Sequence, residues 1–148
     1  MSKVHVHLPE KVLFSSTLSV RITDINYGGH MSNDAILSFA HEARIRFLNH
    51  FGYTEFDIGG CGIIMVDALI TYLSEGFLGN DIRIEIMAGE PGNAGFDIYY
   101  RMHNMTTGKD LAHVKTGVLA FDYEKKKVRK LPEAFKKILK GDNNGTEE

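Results

Sequence analysis

Hydrophobic and polar residues alternate along several segments of the chain, as they do in half-buried β-strands. The first such segment places Val12, Phe14, Leu18, Val20 and Ile22 on one face of an extended chain. Four later segments, at about 61–73, 82–87, 96–103 and 111–123, are also of extended type and are joined by short connections. The turn at 105–109 carries Gly108, where a hairpin requires a positive φ. The pattern therefore predicts five strands in a mostly antiparallel sheet.

One segment, residues 33–49, follows a helical period instead. Its apolar stripe consists of Ile36, Ala40, Ala43 and Phe47. Ser32 or Asn33 is a suitable N-cap, and the acidic Asp34 in the first turn suits the helix dipole. Because one long helix has to cover the sheet, we expect an α+β fold.

Length and composition indicate the domain organisation. The chain has 148 residues, of which 43% are hydrophobic, so a single domain can bury a core of its own. We expect a core over about 11–124 and a short C-terminal helix over 132–140, which begins at a proline and ends before a glycine. The single domain thus spans 1–140, and the polar residues 141–148 are expected to be a disordered tail.

Charge and cysteine content disfavour several classes of function. The formal net charge is -2, with 17 basic and 19 acidic residues spread along the chain, which argues against nucleic-acid or membrane-surface binding. No apolar run approaches the ~20 residues that span a bilayer, and the N-terminus lacks the apolar core of a signal peptide. The single Cys61 lies between glycines, so we interpret it as a small apolar filler in a cytoplasmic protein. The histidines lack metal-ligand spacing, so no metal site is expected.

The polar loop that leads into the helix carries the candidate chemistry. Asp24, Asn26 and His30 surround Gly28 and Gly29 shortly before the helix start. Unpaired backbone N–H groups at a helix N-terminus can receive an anion or a polarised carbonyl oxygen, and glycines let such groups approach a substrate closely. We therefore predict that this loop is the functional site.

Each polar residue of the loop also has a structural alternative. Asn26 could polarise a carbonyl or position water, but asparagine is also an ordinary turn former. His30 could act as a base near neutral pH or could cap the loop. Asp24 is interpreted mainly as an acceptor of backbone N–H groups that holds the loop in shape.

Two carboxylates outside the loop are candidates for a general base. Glu42 has Arg46 four residues later on the polar side of the helix, which indicates either a solvated ion pair or an acid that reaches the site. Asp67 lies in a strand segment that is apolar on both faces. Burial there would raise the pKa of Asp67 towards the range of a base. The alternative is a buried aspartate that is hydrogen-bonded to backbone across a dimer.

Together these residues resemble a known family. The motifs are Arg21, Asp24-Ile25-Asn26, Gly29-His30, Ser32-Asn33 and Glu42-Ala43-Arg44, followed later by Asp67, Tyr72 and Gly79-Asn80-Asp81. Over about residues 12–123 the chain resembles the hotdog-fold acyl-CoA thioesterases of the 4-hydroxybenzoyl-CoA thioesterase-like superfamily. The resemblance implies a five-stranded antiparallel sheet wrapped around one long central helix. It also implies a homodimer with a continuous sheet, or a dimer of such dimers.

The activity that the resemblance implies is hydrolysis of acyl-CoA or acyl-carrier-protein thioesters at sites on the dimer interface. Coenzyme A would enter only as part of the substrate, with no separate cofactor. The thioester-binding residues that we expect are Tyr27, Gly28, Gly29 and Asn33. The expected catalytic residues are Asn26, His30, Asp67, Glu42 and Asp24.

One position departs from the family pattern. The second acid of its Asp-x-Asp motif is Asn26 in this chain, and a neutral amide cannot take a proton from water. Either another group is the base or the protein no longer catalyses this step. The alternatives are a non-catalytic module that binds acyl thioesters or an acyl-carrier protein, and a hotdog-type enoyl-CoA hydratase.

Overall fold

A six-stranded sheet and one long helix make up most of the fold. The computed structural model describes residues 3–142. The elements in chain order are β1 (Phe14–Ser19), α1 (Asn33–His50), β2 (Gly62–Tyr72), β3 (Asp81–Ala88), β4 (Gly95–Asn104), β5 (Lys109–Asp122), β6 (Lys127–Val128) and α2 (Glu133–Leu139). The predicted α+β class, a mostly antiparallel sheet with one long helix, is confirmed. The predicted disorder of 141–148 concerns mainly residues 143–148, which lie outside the described residues.

All strand pairs of the sheet are antiparallel. The strands lie in the order β1-β3-β4-β5-β2, and the two-residue β6 pairs with the end of β5. The sequence pattern does not predict β6, because two exposed residues contain no periodic signal. The connection through α1 therefore carries the chain from one edge of the sheet, β1, to the other edge, β2.

The helix-facing side of the sheet forms the hydrophobic core. Alternate residues of β3 and β4 are buried, as the period of a strand requires. Those that are less than 2% exposed include Ile82, Ile84, Ile86, Ile98, Tyr100 and Met102. They pack with the predicted apolar stripe of α1 in one continuous core. A hydrogen bond from the Tyr72 hydroxyl to the Asn33 carbonyl (3.4 Å) links the helix start to the end of β2.

Strand β2 presents an exposed apolar edge. Val66 is 55% exposed and Met65 is 45% exposed, and no other strand within residues 3–142 pairs with the free side of β2. The register with β5 shifts between Met65 and Asp67, which marks a β-bulge. The two-sided apolarity of this segment thus belongs to an edge strand of the single chain. An apolar edge of this kind is a template for pairing with another chain.

The chain leaves the sheet earlier after β1 than the alternating pattern predicts. Ile22, which we expected on the buried face, is 66% exposed. The reason is that β1 ends at Ser19 and a short 3-10 helix follows at Ile22–Asp24. No helix within residues 3–142 is long and apolar enough to cross a membrane.

Candidate functional site

Asp24 fixes the beginning of the site loop, which comprises residues 24–33. Its carboxylate accepts hydrogen bonds from the backbone N–H of Arg21 (2.8 Å) and from Arg21 Nε and Nη2 (both 3.1 Å). Its backbone oxygen accepts from the N–H and the hydroxyl of Ser32 (2.9 and 3.2 Å). Burial raises the pKa of the Asp24 carboxyl, but the hydrogen bonds from Arg21 outweigh burial and lower the pKa overall. Asp24 is therefore an ionised anchor that joins the two ends of the loop.

Asn26 shapes a tight turn over residues 26–30. Its N–H donates to the His30 carbonyl (3.0 Å), and its own carbonyl accepts from the N–H of Gly29 (3.0 Å). The side-chain Oδ1 of Asn26 accepts from the N–H of Gly28 (2.9 Å). Gly29 has a φ of +89°, a conformation that favours glycine. The turn thus uses both glycine N–H groups, which corrects the expectation that Gly28 and Gly29 donate to a thioester oxygen.

His30 and Asn26 both lie close to Gly28. A Cβ atom on Gly28 would be 3.1 Å from Asn26 Oδ1 and 3.5 Å from His30 Nε2. The His30 ring meets the ring of Phe77 edge-on, with centroids 6.5 Å apart. Within residues 3–142, the His30 ring, the N–H groups of Tyr27 and His30, and Asn26 Nδ2 form no hydrogen bond. An imidazole, an amide and unpaired backbone donors therefore meet at one turn.

The start of α1 adds further donors next to this turn. The Ser32 hydroxyl bonds to the Asp24 carbonyl and does not cap the helix. The N–H groups of Asn33 and Asp34 consequently have no acceptor in the described part of the chain. Uncapped N–H groups and the helix dipole favour negative charge at this point. A developing oxyanion or a polarised carbonyl oxygen is the kind of group that they would bind.

Glu42 lies beside β1, at the edge of the sheet remote from β2. Its carboxylate accepts a hydrogen bond from Arg46 Nε (2.9 Å) on the exposed side of α1. Glu42 also lines a cavity of about 290 Å³ between α1 and β1, together with Leu18 and Phe39. The described residues 26–30 do not line that cavity. In the single chain, Glu42 therefore takes part in a surface ion pair.

Asp67 lies on the face of the sheet opposite α1. Its carboxylate accepts from Lys115 Nζ (3.1 Å) and from the N–H of Gly117 (2.8 Å). These hydrogen bonds, first the one from Lys115, lower the pKa of Asp67. The prediction of a buried carboxylate with a raised pKa is therefore wrong for the single chain. The reason is that β2 is an edge strand, whose bulge leaves Asp67 exposed beside a lysine.

Arg44 is a buried charge between α1 and the sheet that the expected site residues did not include. It is 6% exposed, and its Nε donates to Glu55 Oε2 (2.8 Å) while its Nη1 donates to the Tyr100 hydroxyl (2.9 Å). Burial lowers the pKa of Arg44, but the neighbouring Tyr100 and Glu55 raise it overall, so the guanidinium stays charged. A signal for this position exists in the sequence, because Arg44 follows Ala40 by four residues and so falls on the apolar stripe.

Cys61 and the arrangement of potential metal ligands were the remaining candidates for chemistry. Cys61 is a buried free cysteine, and burial raises the pKa of its thiol, which makes it less reactive. Across residues 3–142, no group of three or more His, Cys, Asp and Glu side chains is arranged to hold a metal ion.

Comparisons with known proteins agree with the fold described above. A family model, described as the thioesterase-like superfamily, matches residues 20–139. A 1,4-dihydroxy-2-naphthoyl-CoA thioesterase from Synechocystis has a similar structure, with a TM-score of 0.77 and 17% identity over 85% of this chain and 94% of that chain. A gentisyl-coenzyme A thioesterase gives a TM-score of 0.75 and 14% identity over 85% of this chain and 99% of that chain. A thioesterase-superfamily protein from Jannaschia gives a TM-score of 0.77 and 19% identity over 88% of this chain and 83% of that chain. No curated protein is a significant match.

Proposed function

Because the chain belongs to the thioesterase-like superfamily, we propose that it hydrolyses acyl-CoA or acyl-carrier-protein thioesters at the site loop. One observation carries the proposal: Asn26 and His30 meet at the Gly28 turn, directly before the uncapped start of α1. The loop thereby combines donors for a carbonyl oxygen with a group that accepts a proton. Transfer of an acyl group to water requires both.

In the proposed reaction, Asn26 Nδ2 and the unpaired N–H groups of His30 and the helix start bind the thioester oxygen. Water attacks the carbonyl carbon while His30 takes a proton from it, since imidazole is the commonest general base near neutral pH. The C–S bond then breaks, and His30 returns the proton to the thiolate of coenzyme A or the carrier protein. The acyl group leaves as a carboxylic acid, which loses its proton to the solvent.

This mechanism assigns the role of general base to His30 and not to the expected carboxylates, Asp67 and Glu42. Asp67 is held in its charged form by Lys115, and a carboxylate with a lowered pKa is a weak proton acceptor. Glu42 is paired with Arg46 and lines a separate cavity beside β1.

We further propose that the chain forms a homodimer through β2. Val66, Leu69 and Tyr72 expose apolar surface on this strand, and pairing of two β2 edges would cover it and extend the sheet across both chains. Full burial of one such side chain is worth about 1.5–3 kcal/mol. Since Tyr72 bonds to the helix start at Asn33, the site loop would then lie beside the interface. A dimer of such dimers stays an expectation from the family.

Release of free thiol from a panel of acyl-CoA thioesters tests the proposal. We expect His30→Ala and Asn26→Ala each to lower kcat/KM by about 10²-fold or more. The matched controls are His5→Ala and Asn49→Ala, which change exposed residues outside the site loop. Wild-type turnover in both site variants would contradict the proposal.

A non-catalytic thioester-binding module is the second candidate function, and the neutral side chain of Asn26 favours it. Such a module would bind an acyl-CoA saturably in a calorimeter but would release no thiol. The hydratase alternative has a different signature, because an enoyl-CoA would be converted into a hydroxyacyl-CoA. Product analysis by mass spectrometry distinguishes the three outcomes.

A further inference from the structure

Basic residues are concentrated in one segment of the chain. The segment from Asp122, where β5 ends, to Lys140, which caps α2, contains eight of the 17 basic residues and three of the 19 acidic residues. Its formal net charge is therefore +5, while the other nine basic and 16 acidic residues give the rest of the chain a charge of -7. The overall net charge of -2 conceals this asymmetry. It therefore does not exclude a local surface that attracts anions.

Seven of these eight cations have no ion-pair partner within residues 3–142. Arg129 is the exception, because its Nη1 donates to Asp122 Oδ2 (2.9 Å). The unpaired cations are Lys125, Lys126, Lys127, Lys130, Lys136, Lys137 and Lys140. All of them except Lys136 are exposed. The segment thus presents six exposed lysines whose charge no described acidic side chain neutralises.

The lysines before β6 and those on α2 lie at the same end of the molecule. The loop at 54–62, which follows α1, contacts both elements. The ring of Phe56 meets the ring of Tyr123 (centroids 5.6 Å apart), and a Cβ on Gly59 would lie 3.3 Å from Pro132 at the start of α2. We call this region the basic end. It adjoins the C-terminus of α1, about 27 Å along the 18-residue helix from the site loop.

Exposed apolar side chains accompany the lysines at the basic end. Phe56 is 75% exposed, Val128 is 47% exposed and Tyr123 is 45% exposed. These side chains belong to one cluster, because Val128 pairs with Phe121 and the Phe121 ring packs on Tyr123 (5.1 Å). Tyr123 directly precedes the turn that carries three of the lysines. Cations beside exposed apolar side chains match the surface of an anionic bilayer, which offers phosphate headgroups next to an apolar phase.

We propose that the basic end docks on bilayers that contain anionic phospholipids. The exposed lysines bind the headgroup phosphates, and Phe56 and Val128 enter the boundary of the acyl region. Six exposed lysines lie within the range of about four to eight cations that such surfaces use. A nucleic acid would also attract the lysines, but it offers no apolar phase for Val128. The proposal goes beyond the reaction at the site loop and does not depend on it, since that loop lies at the other end of α1.

Co-sedimentation of the full chain with lipid vesicles tests the proposal. We expect binding to phosphatidylcholine vesicles that contain about one third phosphatidylglycerol, and at least about tenfold weaker binding to pure phosphatidylcholine. Raising the salt from about 0.05 M to about 0.5 M should release the protein, because salt screens exposed charges. Equal binding to both kinds of vesicle, or binding to neither, overturns the proposal. So does tight binding of a DNA duplex by a protein that the anionic vesicles do not bind.

A triple variant locates the charge that binds the vesicles. Changing Lys125, Lys126 and Lys127 to glutamine should weaken binding to the anionic vesicles by about a hundredfold, because each cation near such a surface contributes about fivefold. The matched control changes Lys3, Arg46 and Lys109 to glutamine. These cations are also exposed but lie outside the basic end, so the control should bind nearly as the wild type does. Equal binding by the two triple variants overturns the proposal.

A single substitution tests the apolar contribution separately. Phe56→Ser should weaken binding to the anionic vesicles by about tenfold, since it removes an aromatic ring that the bilayer would cover. Met105→Ser changes a half-exposed side chain at the turn after β4 and should bind as the wild type does. Melting temperatures near that of the wild type show that each variant folds. If Phe56→Ser is monomeric and binds vesicles like the wild type, a second copy of the chain covers the ring and its proposed insertion is overturned.

Discussion

Tyr100→Phe removes a single buried hydroxyl that connects α1 with the sheet. Tyr100 is fully buried; its hydroxyl accepts from Arg44 Nη1 (2.9 Å) and bonds to Thr116 Oγ1 (2.9 Å). Phenylalanine fills nearly the same space, so the substitution removes hydrogen bonds and leaves the packing in place. The guanidinium and the threonine hydroxyl would each lose a hydrogen-bond partner at a buried position.

The expected cost follows from these two hydrogen bonds. A bond to a charged group contributes about 1.5–3 kcal/mol and a neutral one about 1 kcal/mol. Tyr100→Phe should therefore lower the free energy of unfolding by about 2–4 kcal/mol, a large part of the roughly 5–15 kcal/mol of a typical domain. Because burial raises the pKa of the Tyr100 phenol, the hydroxyl is protonated at neutral pH. The loss of unfolding free energy caused by Tyr100→Phe should therefore not change with pH near neutrality.

Urea unfolding at a fixed protein concentration measures this effect, since association would otherwise contribute. Tyr99→Phe is the matched control. The Tyr99 side chain lies on the opposite face of β4, and its hydroxyl forms no hydrogen bond within residues 3–142. We expect the control to change stability by less than about 0.5 kcal/mol. If the two variants are equally stable, the buried link between Arg44 and the sheet contributes nothing and the reasoning is refuted.

Three further substitutions test other parts of the molecule. Partial burial raises the pKa of Asp110, but hydrogen bonds from Arg101 and two histidines bring it well below its usual range. Ionised Asp110 thus stabilises the folded protein above about pH 4, and this stabilisation is lost at lower pH. In Asp110→Asn, the urea concentration at the unfolding midpoint should therefore fall less steeply as the pH is lowered. Gly28→Ala would place a Cβ 3.1 Å from Asn26 Oδ1 and should lower kcat/KM about tenfold or more at an unchanged melting temperature. Val66→Lys charges the exposed β2 edge and should give monomers in analytical ultracentrifugation.

Each of these substitutions has a matched control elsewhere in the chain. Asp97→Asn changes a more exposed carboxylate of the same sheet face and should leave the acid dependence nearly unchanged. At Gly92 the nearest atom to an added Cβ is 3.6 Å away, so Gly92→Ala should keep full activity. Val128→Lys alters a similarly exposed valine on β6 and should not affect dimers. An Asp110→Asn protein with wild-type acid dependence, an active Gly28→Ala enzyme or a dimeric Val66→Lys protein would each contradict the corresponding prediction.

The sequence predicts β3, β4 and α1 because the spacing of their hydrophobic residues matches the spacing of the positions that are buried in a strand or a helix. The alternation at 82–87 and 96–103 becomes β3 at Asp81–Ala88 and β4 at Gly95–Asn104. Ile82, Ile84 and Ile86 in β3 and every second residue in β4 are buried because one face of the sheet packs on α1. The helix predicted over 33–49 is α1 at Asn33–His50 for the same reason.

The position of β2 and the environment of its acid do not follow from local pattern. A strand with apolar residues on both faces has the same sequence pattern whether its second neighbouring strand belongs to its own chain or to a partner chain. The lowered pKa of Asp67 depends on Lys115, which is 48 residues away in sequence. The burial of Arg44 likewise depends on Tyr100 and Glu55, which only tertiary structure brings to it.

The turn geometry at Asn26 shows why an amide can replace the family's acid without changing the loop. Gly28 donates to Oδ1, an oxygen that aspartate also has, so only the second side-chain atom differs. Asn26→Asp should therefore leave the melting temperature unchanged. It replaces Nδ2, which donates to the thioester oxygen, with a carboxylate oxygen that can accept a proton. On the proposed mechanism, the added carboxylate takes over part of the work of His30. The loss of kcat/KM caused by His30→Ala should then be smaller in the Asn26→Asp background than in the wild type. An equal loss in both backgrounds would contradict the prediction that the carboxylate at position 26 and His30 can share one role.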